Sequence, residues 1–319
     1  MRILVVTNLE PDAATPQRGR WVRDQVEEIR KLGVDVYFFS FPLGRKQYAP
    51  ATRRIRAILR RQRFDLVHAH YGLAGWCARL AGARPLVVTF HGTDVRHRLV
   101  GPLSRRLARQ ADLVAGVSRA LFAPEGGRPG LPTRPAPSAV LPCGPDLGRF
   151  GRMPRADARR RLGLDPDEPF LLFPANPVRP EKRHDRAVAL ARACDARLVT
   201  GGGIDPDLMP VWLNASSAVV VTSDYEGFGL AALEALACDV PVLSTPVGVA
   251  PFATSGVGGA LCAPFELGVW SGVARKALSA PDPRLDGSRR AAAFAAPRMA
   301  ARVVEAYREV LGDHGAGDG

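Results

Sequence analysis

Short continuous apolar segments alternate with stretches of helical spacing along the chain, and this pattern constrains the fold more than any other feature. The first five segments are rich in β-branched residues and predict buried strands at residues 2–7, 34–39, 65–70, 85–90 and 112–117. Between the first two, apolar residues recur at helical spacing from Trp21 to Leu32, and Gly33 is a suitable terminator. Strand–helix alternation of this kind predicts a doubly wound parallel sheet.

The same alternation restarts after a loop rich in proline and glycine at residues 123–138. Four further strands are predicted, at residues 169–175, 196–201, 217–223 and 240–245. We therefore predict an α/β chain with two doubly wound, Rossmann-like domains, which suits its length of 319 residues. The predicted segments are an N-terminal domain, a C-terminal domain, and a last helix that packs back on the first domain and ends in a disordered tail, at residues 1–145, 146–285 and 286–319. Because ligands of such sheets bind beyond the carboxyl ends of the strands, we expect the site in a cleft between the domains.

The charge balance favours anionic partners. The chain carries 44 Lys and Arg against 31 Asp and Glu, a net charge of +13, which favours nucleotides, phosphorylated substrates, nucleic acid or an acidic membrane. Because the cations are nearly all arginine in an alanine-rich sequence, genome composition explains the surplus equally well. The five cysteines are scattered without CxxC spacing, which argues against a disulfide framework or a zinc cluster and for a reducing cytoplasm.

Residues 222–246, TSDYEGFGLAALEALACDVPVLSTP, place two glutamates eight positions apart around a pair of glycines. A predicted strand ends here, a loop follows, and a helix begins near Gly229, so its first amides lack intrahelical acceptors and favour an anion. Gly227 and Gly229 allow a ligand to approach the backbone closely. Glu226 and Glu234 cannot hold an anion by charge, and they suit the hydroxyls of a sugar and a ribose instead.

The cations for an anionic ligand lie upstream. Residues 175–190, ANPVRPEKRHDRAVAL, follow a predicted strand and lead into a helix, which places Arg179 and Lys182 at the carboxyl end of that strand. A guanidinium and a flexible ammonium suit a diphosphate. Taken alone, each is more often a solvated surface charge. Ligand binding is favoured only if Arg179 and Lys182 lie at the same edge of the sheet as the two glutamates.

The segment EGFG-x4-EALAC in its strand–loop–helix setting, together with RPEKR upstream, resembles the retaining glycosyltransferases of family 4, which have the GT-B fold. The resemblance covers most of the chain and is closest to compact actinobacterial members. Four further segments are similar to that family: residues 3–36, LVHAHYGLAG, LVVTFHGTDV and the interdomain hinge VLPCGPDLGRF.

The resemblance implies a role for each matching residue on the donor side. Glu226 would contact the donor sugar and Glu234 the nucleotide ribose, while Arg179 and Lys182 would bind the diphosphate. The remaining donor contacts would come from an N-terminal loop and from the start of the acidic helix: Gly19, Gly227, Phe228, Gly229 and Leu230.

On the acceptor side the resemblance points to His70, His91 and Asp94. His91 would lie beside the reacting carbon, so the catalytic set would combine it with Glu226, Arg179 and Lys182. The alternative for His91 is a histidine hydrogen-bonded at a strand end.

The sequence departs from the family pattern at several positions. Arg183 and Asp239 stand where most relatives have glycine, and the hinge has Cys143 and Pro145. The stretch between the predicted strands at 196–201 and 217–223 is short, as if one strand–helix pair were missing. That region helps to hold the base in relatives, so the identity of the nucleotide stays open.

Other ligand classes fit the sequence less well. The DPD triplets at 165–167 and 205–207 have the composition of turns, so we predict activity without a metal or other cofactor. The loop after the first strand has a single glycine, which disfavours a dinucleotide-binding oxidoreductase, and no P-loop is present. The sequence has no compact stretch of basic and aromatic residues, so it does not predict nucleic-acid binding.

Arginines cluster at residues 51–64 and 96–110. In the first cluster Ile55, Ile58 and Leu59 share one face of a predicted helix, and basic amphipathic helices of this kind bind anionic lipid. The alternative is a packed helix with a solvated face. No segment is long and apolar enough to span a bilayer. We predict a cytoplasmic protein, and peripheral attachment to the inner membrane face is left open.

Together with the family resemblance, these features predict a metal-independent hexosyltransferase that moves a sugar from a nucleoside-diphosphate sugar to a hydroxyl acceptor. The resemblance implies a retaining mechanism. Acceptors in such families belong to cell-envelope glycans, glycolipids or natural products, and a lipid-linked or anionic acceptor is left open. Two alternatives remain: a nucleotide-sugar 2-epimerase on the same fold, and a non-catalytic homologue that binds nucleotide sugars.

Overall fold

The computed structural model describes residues 1–12, 15, 18–124, 127 and 129–312. The chain divides into two compact units. The first contains Met1–Gly144 together with the C-terminal segment from Ala296, and the second contains Pro145–Ala295. Each unit is built around one parallel sheet, as the alternating sequence pattern predicts. Most of the predicted disordered tail lies outside the described residues.

The first unit holds a six-stranded parallel sheet in the order β2-β1-β3-β4-β5-β6. Its strands are β1 (Arg2–Thr7), β2 (Asp35–Ser40), β3 (Leu66–His70), β4 (Leu86–Phe90), β5 (Leu113–Gly116) and β6 (Ser138–Val140). Its first helices are α1 (Arg20–Lys31), α2 (Tyr48–Arg61), α3 (Gly72–Ala81), α4 (Thr93–Arg96) and α5 (Val100–Ala108). Five strands match predicted segments, whereas the three-residue strand β6 was not predicted.

The register of the first sheet brings three chain segments to one edge. β1 and β4 both pair with β3, so that Thr7 and Thr89 lie on either side of His70. All three strands are parallel, and their carboxyl ends therefore meet at the same edge. The segments LVHAHYGLAG and LVVTFHGTDV thus emerge next to each other.

The second unit holds a five-stranded parallel sheet in the order β11-β10-β9-β7-β8. Its strands are β7 (Phe170–Phe173), β8 (Arg197–Thr200), β9 (Ala218–Val221), β10 (Val242–Ser244) and β11 (Leu261–Cys262). Its helices are α6 (Arg155–Leu162), α7 (His184–Ala193), α8 (Met209–Ala215), α9 (Leu230–Ala237), α10 (Ala250–Ala253), α11 (Leu267–Ser279) and α12 (Ser288–Ala292). The two-residue strand β11 was not predicted. A single helix, α8, separates β8 from β9, and β8 is left at the edge of the sheet.

Both faces of the second sheet are buried. One face packs with residues of α8 and α9, including Leu213 and Leu236, and the other packs around Leu190 of α7 and Trp270 of α11. Trp270 is fully buried, and its indole N–H donates to the carbonyl of Pro264 at 3.0 Å. Strands covered in this way need the continuous apolar runs that the sequence shows.

The last helix, α13 (Ala296–Leu311), packs on α1 in the first unit. The sequence predicted one C-terminal helix within residues 286–319, and this was wrong in one respect. Residues 288–292 form the separate helix α12, which packs on α9 in the second unit. Pro297 explains the break, because proline is tolerated in the first turn of a helix and not in its interior.

Candidate functional site

Glu226 lies in the loop between β9 and α9, and it is tied to Lys182. The ammonium Nζ of Lys182 donates to both carboxylate oxygens of Glu226, each at 2.6 Å. The two side chains are 12% and 13% exposed. Ser223 donates its hydroxyl to Oε1 of Glu226 at 2.7 Å. The two residues lie 44 positions apart in sequence, and the fold brings their charges into direct contact.

The backbone around this ion pair is held by short polar contacts. The hydroxyl of Thr222 donates to the carbonyls of Lys182 and Arg183, at 3.0 and 2.9 Å. The amide of Asp224 donates to the carbonyl of Glu181 at 2.9 Å. The turn that bears Lys182 and the loop that bears Glu226 are therefore joined by the Thr222 hydroxyl and by one main-chain hydrogen bond.

Helix α9 begins directly after the glycine pair. Gly229 adopts a left-handed conformation with φ of 93° at the N-cap, and no side chain caps the helix there. The loop is fixed from the other side because the amide of Val249 donates to the carbonyl of Phe228 at 2.7 Å. The ring of Phe228 packs edge-on against Phe294 at 6.0 Å. The amides at the start of α9, including that of Leu230, are thus held at one end of the loop.

Arg179 is more exposed than Lys182 and has its own carboxylate partner. Its Nε donates to Glu181 at 2.7 Å, and the two side chains are 47% and 30% exposed. Glu234 lies about one turn into α9 and is half-buried. The structure thus brings Arg179, Lys182 and Glu226 to the carboxyl-end edge of the second sheet, with Glu234 in the helix that follows.

Arg183, which departs from the family pattern, adopts a left-handed conformation with φ of 53°. Its guanidinium binds Asp185 at 2.9 and 2.8 Å and Asp224 at 3.2 Å. These bonds raise the pKa of Arg183 and lower that of Asp185. Asp239, the other departure, has φ of 56° and accepts hydrogen bonds from the amides of Gly287 and Ser288. Both residues adopt a backbone conformation that is strained for any residue except glycine. Their side chains make polar contacts that glycine could not make, and these contacts offset the strain.

In the first unit, His91 follows β4 and contacts His70 at the end of β3. Nδ1 of His70 lies 3.0 Å from Nε2 of His91. Tyr71 stacks on His91 with ring centroids 4.4 Å apart. Burial lowers the pKa of His70 to about 3, and burial together with His70 lowers that of His91 well below its usual value. Both imidazoles are therefore neutral near pH 7, and one nitrogen of the pair donates to the other.

Asp94 holds the backbone beside the two histidines. Its carboxylate accepts hydrogen bonds from the amides of Gly72, His91 and Gly92, at 3.1, 3.0 and 2.9 Å. Burial raises its pKa to about 6, against the opposing effect of these amides. His70 is 1% exposed and Asp94 6%. Both residues are therefore placed to position His91, and the contact with an acceptor that was expected for them stays a prediction.

A second histidine contact ties this region to the C-terminal helix. His68, which is fully buried, lies 2.6 Å from the hydroxyl of Tyr307 in α13 and 2.7 Å from that of Thr89. The rings of His68 and His70 are 4.3 Å apart. Sequence analysis did not select His68, Tyr307 or Ser223. The alternation of histidines in LVHAH placed His68 and His70 on one face of the strand, and this was the available signal for His68.

Gly19 is the N-cap of α1 and adopts a left-handed conformation with φ of 67°. A Cβ atom there would lie 2.3 Å from the carbonyl oxygen of Leu9, so only glycine fits. Its expected contact with a donor stays a prediction, because residues 13, 14, 16 and 17 of the same loop lie outside the described residues.

Both DPD triplets form turns. The first aspartate of each accepts a hydrogen bond from the amide of the third residue, at 2.8 Å for Asp165 and 2.9 Å for Asp205. Within the described residues, no group of three or more His, Cys, Asp or Glu side chains is arranged to hold a metal ion. None of the described helices is both long and apolar enough to cross a bilayer.

Comparison with known proteins identifies the family. A model of Glycosyltransferase Family 4 matches residues 5–149, and a model of Glycosyl transferases group 1 matches residues 175–272. The chain belongs to glycosyltransferase family 4. The two matches cover the histidine region of the first unit and the ion-pair region of the second.

Curated relatives of this family 4 chain include two D-inositol 3-phosphate glycosyltransferases. The one from Actinosynnema mirum is 32% identical over 281 residues, covering 68% of this chain and 65% of the relative. The one from Mycobacterium tuberculosis is 28% identical over 343 residues, covering 89% of this chain and 69% of the relative. The match therefore spans about two thirds of the length of these relatives.

Solved structures show the same fold at low sequence identity. Sucrose-phosphate synthase from Thermosynechococcus elongatus has a TM-score of 0.75 at 20% identity, over 98% of this chain and 99% of that one. Anabaena HepE in complex with UDP and glucose has a TM-score of 0.67 at 17% identity, over 97% of this chain and all (100%) of that one. The two parallel-sheet units and these neighbours establish the GT-B fold that the sequence predicted. The expected cleft between the domains stays a prediction.

Proposed function

We propose that this family 4 chain transfers a sugar from a nucleoside-diphosphate sugar to a hydroxyl acceptor. The observation that carries the proposal is the cluster of Lys182, Glu226 and the uncapped start of α9. Family membership supports it, as do the names of the relatives, which are glycosyltransferases and sugar-phosphate synthases. Relatives of known structure bind UDP or UDP-glucose, which supports a nucleotide sugar as the donor here.

In this mechanism the second unit stabilises the leaving diphosphate. Lys182 and Arg179 supply positive charge, and the amides from Phe228 to Leu230 supply fixed donors at a positive helix end. Preorganised groups of this kind act on the negative charge that develops as the glycosidic bond breaks. Glu226 accepts hydrogen bonds from sugar hydroxyls, and Glu234 accepts from the ribose.

We propose that the sugar keeps its anomeric configuration. Glu226 is the carboxylate nearest to the expected sugar position, and it is engaged by Lys182 and Ser223. In the donor complex Ser223 and the sugar hydroxyls donate hydrogen bonds to this carboxylate, which disfavours its attack on the anomeric carbon and therefore a double displacement. The acceptor therefore attacks on the face from which the diphosphate departs. NMR of the product anomer tests this proposal, and an inverted product would contradict it.

The first unit supplies the acceptor side through His91. Because its imidazole is neutral, His91 acts as a hydrogen-bonding group for a hydroxyl and not as a positive charge. The net charge of +13 and the names of the relatives favour an anionic hydroxyl acceptor, and inositol 3-phosphate is the first compound to assay.

We also propose that transfer needs no metal ion, because Arg179, Lys182 and the helix amides can together compensate the diphosphate. Dialysis against a chelator tests this directly. Loss of turnover that Mg²⁺ restores would contradict it.

Two assays separate this function from its alternatives. A thermal-shift screen against nucleoside diphosphates and their sugars should find a stabilising ligand, since binding to the folded state raises the melting temperature. Incubation with the donor alone should leave the configuration at C2 of the sugar unchanged, and a 2-epimer would favour the epimerase. A donor that binds but is never consumed with any acceptor would favour the non-catalytic homologue.

Peripheral membrane attachment is proposed from one surface of the first unit. Residues 41–64 carry no carboxylate and eight cations: Arg45, Lys46, Arg53, Arg54, Arg56, Arg60, Arg61 and Arg63. All eight are exposed, whereas Ile55 on the apolar face of α2 is fully buried. Attachment would therefore be electrostatic. Cosedimentation with anionic vesicles at low salt is expected, and equal recovery with neutral vesicles would contradict it. We propose a cytoplasmic location at the inner membrane face on the same grounds.

A further inference from the structure

Both cations that are expected to bind a diphosphate already have carboxylate partners. Lys182 is paired with Glu226, and Arg179 is paired with Glu181. The four side chains have no net formal charge. A diphosphate that reaches them therefore competes with a carboxylate for the positive charge of each cation.

The two pairs differ in how hard they are to separate. The side chains of Arg179 and Glu181 are 47% and 30% exposed, whereas those of Lys182 and Glu226 are 12% and 13% exposed. Exposed ion pairs contribute little, because water replaces each partner readily. Breaking a buried pair leaves a charge without compensation, and this opposes the change. Lys182 and Glu226 therefore decide how much a diphosphate gains on binding.

The consequences differ for a free diphosphate and a sugar diphosphate. Among the residues that the structure describes, Glu226 is hydrogen-bonded to Lys182 and Ser223. A free diphosphate that takes Lys182 leaves Glu226 with Ser223 alone. A sugar diphosphate that takes Lys182 also brings hydroxyls, which can donate to the carboxylate that Lys182 has released.

We propose that Glu226 is a specificity-determining residue that makes this site select a sugar diphosphate over the free nucleoside diphosphate. It does so by holding Lys182 until sugar hydroxyls replace the ammonium. The proposal rests on the proposed function, since it takes the diphosphate to bind at Lys182. The same exchange favours release of the nucleoside diphosphate after transfer. The free diphosphate has no sugar hydroxyls to donate to Glu226, so Glu226 pairs with Lys182 again.

The geometry allows this exchange through side-chain movement alone. The main chain of Lys182 is held by the hydroxyl of Thr222 at 3.0 Å. The carbonyl of Ser223 accepts from the hydroxyl of Thr245 at 2.5 Å, and Ser223 is 2% exposed. The ammonium, in contrast, lies at the end of a flexible four-carbon stem. A small rotation of that stem can move Nζ from a carboxylate to a phosphate while the loop stays in place.

The test is calorimetric titration of the full chain with UDP, ADP, GDP and the glucose ester of each. The nucleotide that binds the wild type is then titrated, with and without glucose, into Glu226→Gln. Removing the charge of Glu226 frees Lys182, so the free diphosphate should bind about tenfold more tightly, the effect of one gained hydrogen bond to a charged group. The sugar diphosphate should gain much less, and the preference for it should fall by about the same factor.

Glu181→Gln is the matched control, because it removes the same charge from the exposed pair. It should change the affinity for both ligands by the same factor and leave the preference intact. Ser223→Ala is a second variant with the opposite sign. It removes the partner that Glu226 keeps, so the free diphosphate should bind more weakly and the preference should rise. This variant also decides the question if Glu226→Gln does not fold.

The outcomes separate this inference from the proposed function. If Glu226→Gln binds the free diphosphate more weakly, Glu226 orients Lys182 and does not compete for it, and the inference is wrong while transfer stands. An equal loss of preference in Glu181→Gln would also overturn it, since any lost charge would then suffice. If the wild type binds none of the six compounds, the proposed function and the inference fail together.

Discussion

The edge of the first sheet and the edge of the second differ in charge, although both lie at the carboxyl ends of parallel strands. At the first edge His70 and His91 are neutral, because burial lowers their pKa values. At the second edge Lys182 is paired with Glu226 and Arg179 with Glu181. A neutral site suits the hydroxyl of an acceptor, and a site with exchangeable cations suits the diphosphate of a donor. This difference in charge supports the proposal that the donor binds to the second unit and the acceptor to the first.

The largest expected effect concerns Glu226. We expect Glu226→Gln to lower the rate of transfer on the order of a hundredfold, because contacts to the reacting sugar act in the transition state. Binding of the nucleoside diphosphate should persist. Release of nucleoside diphosphate from the donor measures the rate. Asp224→Asn in the same loop is the control and should retain most activity; full activity of Glu226→Gln would refute its assigned role.

The second largest effect concerns Lys182. We expect Lys182→Met to weaken binding of the nucleoside diphosphate about tenfold to a hundredfold, the usual effect of losing a hydrogen bond to a charged group. Titration calorimetry measures the change. His91→Ala should leave this affinity within about threefold, well under the effect of one such lost bond. If both variants lost the same affinity for the nucleoside diphosphate, the proposal that the donor and the acceptor bind at the edges of different sheets would be wrong.

A smaller effect is expected at His70, which contacts His91 at 3.0 Å. We expect His70→Leu to lower kcat about tenfold, because a buried nitrogen of His91 loses its partner. Donor KM should not change. His70→Asn places an amide near the former Nδ1 and should recover most of the rate. Nitrogen chemical shifts of His91 should show a mixture of tautomers in His70→Leu, and an unchanged spectrum would contradict a positioning role.

The pH dependence of stability sharpens the comparison. The pKa of His70 is about 3 in the folded chain, below the usual value of about 6.5. Between these values the unfolded chain binds a proton that the folded chain does not. The contribution of His70 to the free energy of unfolding is therefore fully present above about pH 6.5. It falls by about 1.4 kcal/mol per pH unit as the pH drops from about 6.5 to about 3. Asp94 acts in the opposite direction between about pH 6 and its usual value of 3.8.

Urea unfolding of the wild type and His70→Asn at several pH values measures this effect. The slope between pH 4 and 6 should be smaller in the variant by about one proton. The two slopes would be equal if His70 were protonated in the folded chain, and the neutral character of the first edge would then be wrong.

The smallest effect is expected at Arg183. Its left-handed conformation is strained for arginine, and its bonds to Asp185 and Asp224 are solvent-exposed. These two contributions oppose each other, so Arg183→Gly should change the melting temperature by less than about 4 °C. Asp224→Ala removes the ion pairs of Asp224 with Arg183 and Arg186 and keeps the strain, so it should lower the melting temperature more. The reverse order would mean that the exposed bridges outweigh the backbone strain.

Much of the fold follows from the sequence, because strands buried on both faces need continuous apolar runs. The two missed strands, β6 and β11, have three and two residues and are too short to form such a run. The break before Pro297 was missed because alanine and arginine continue the helical pattern across it. The role of Arg183 was missed because its guanidinium binds two aspartates, one of them 41 residues away.

The sequence predicted which residues lie at the edge of the second sheet, but it did not predict the ion pair between them. Spacing brought Glu226 and Lys182 to one edge of a sheet, but the direct contact of their charges depends on loop geometry that the sequence pattern does not specify. His70 was expected at the acceptor because the segment LVHAHYGLAG resembles an acceptor-side segment of the family. In the structure His70 is buried and contacts His91, and this contact between two loop-proximal side chains could not be derived from the sequence pattern.

The central claim is that Lys182, Arg179 and the start of α9 together hold a sugar diphosphate. The most direct test is a crystal structure of the full chain with the best nucleotide sugar from the thermal-shift screen. The account predicts the diphosphate within hydrogen-bond distance of Nζ of Lys182 and of the amides at residues 228–230, with a sugar hydroxyl on Glu226. A ligand bound elsewhere, with Lys182 and Glu226 still paired, would contradict it.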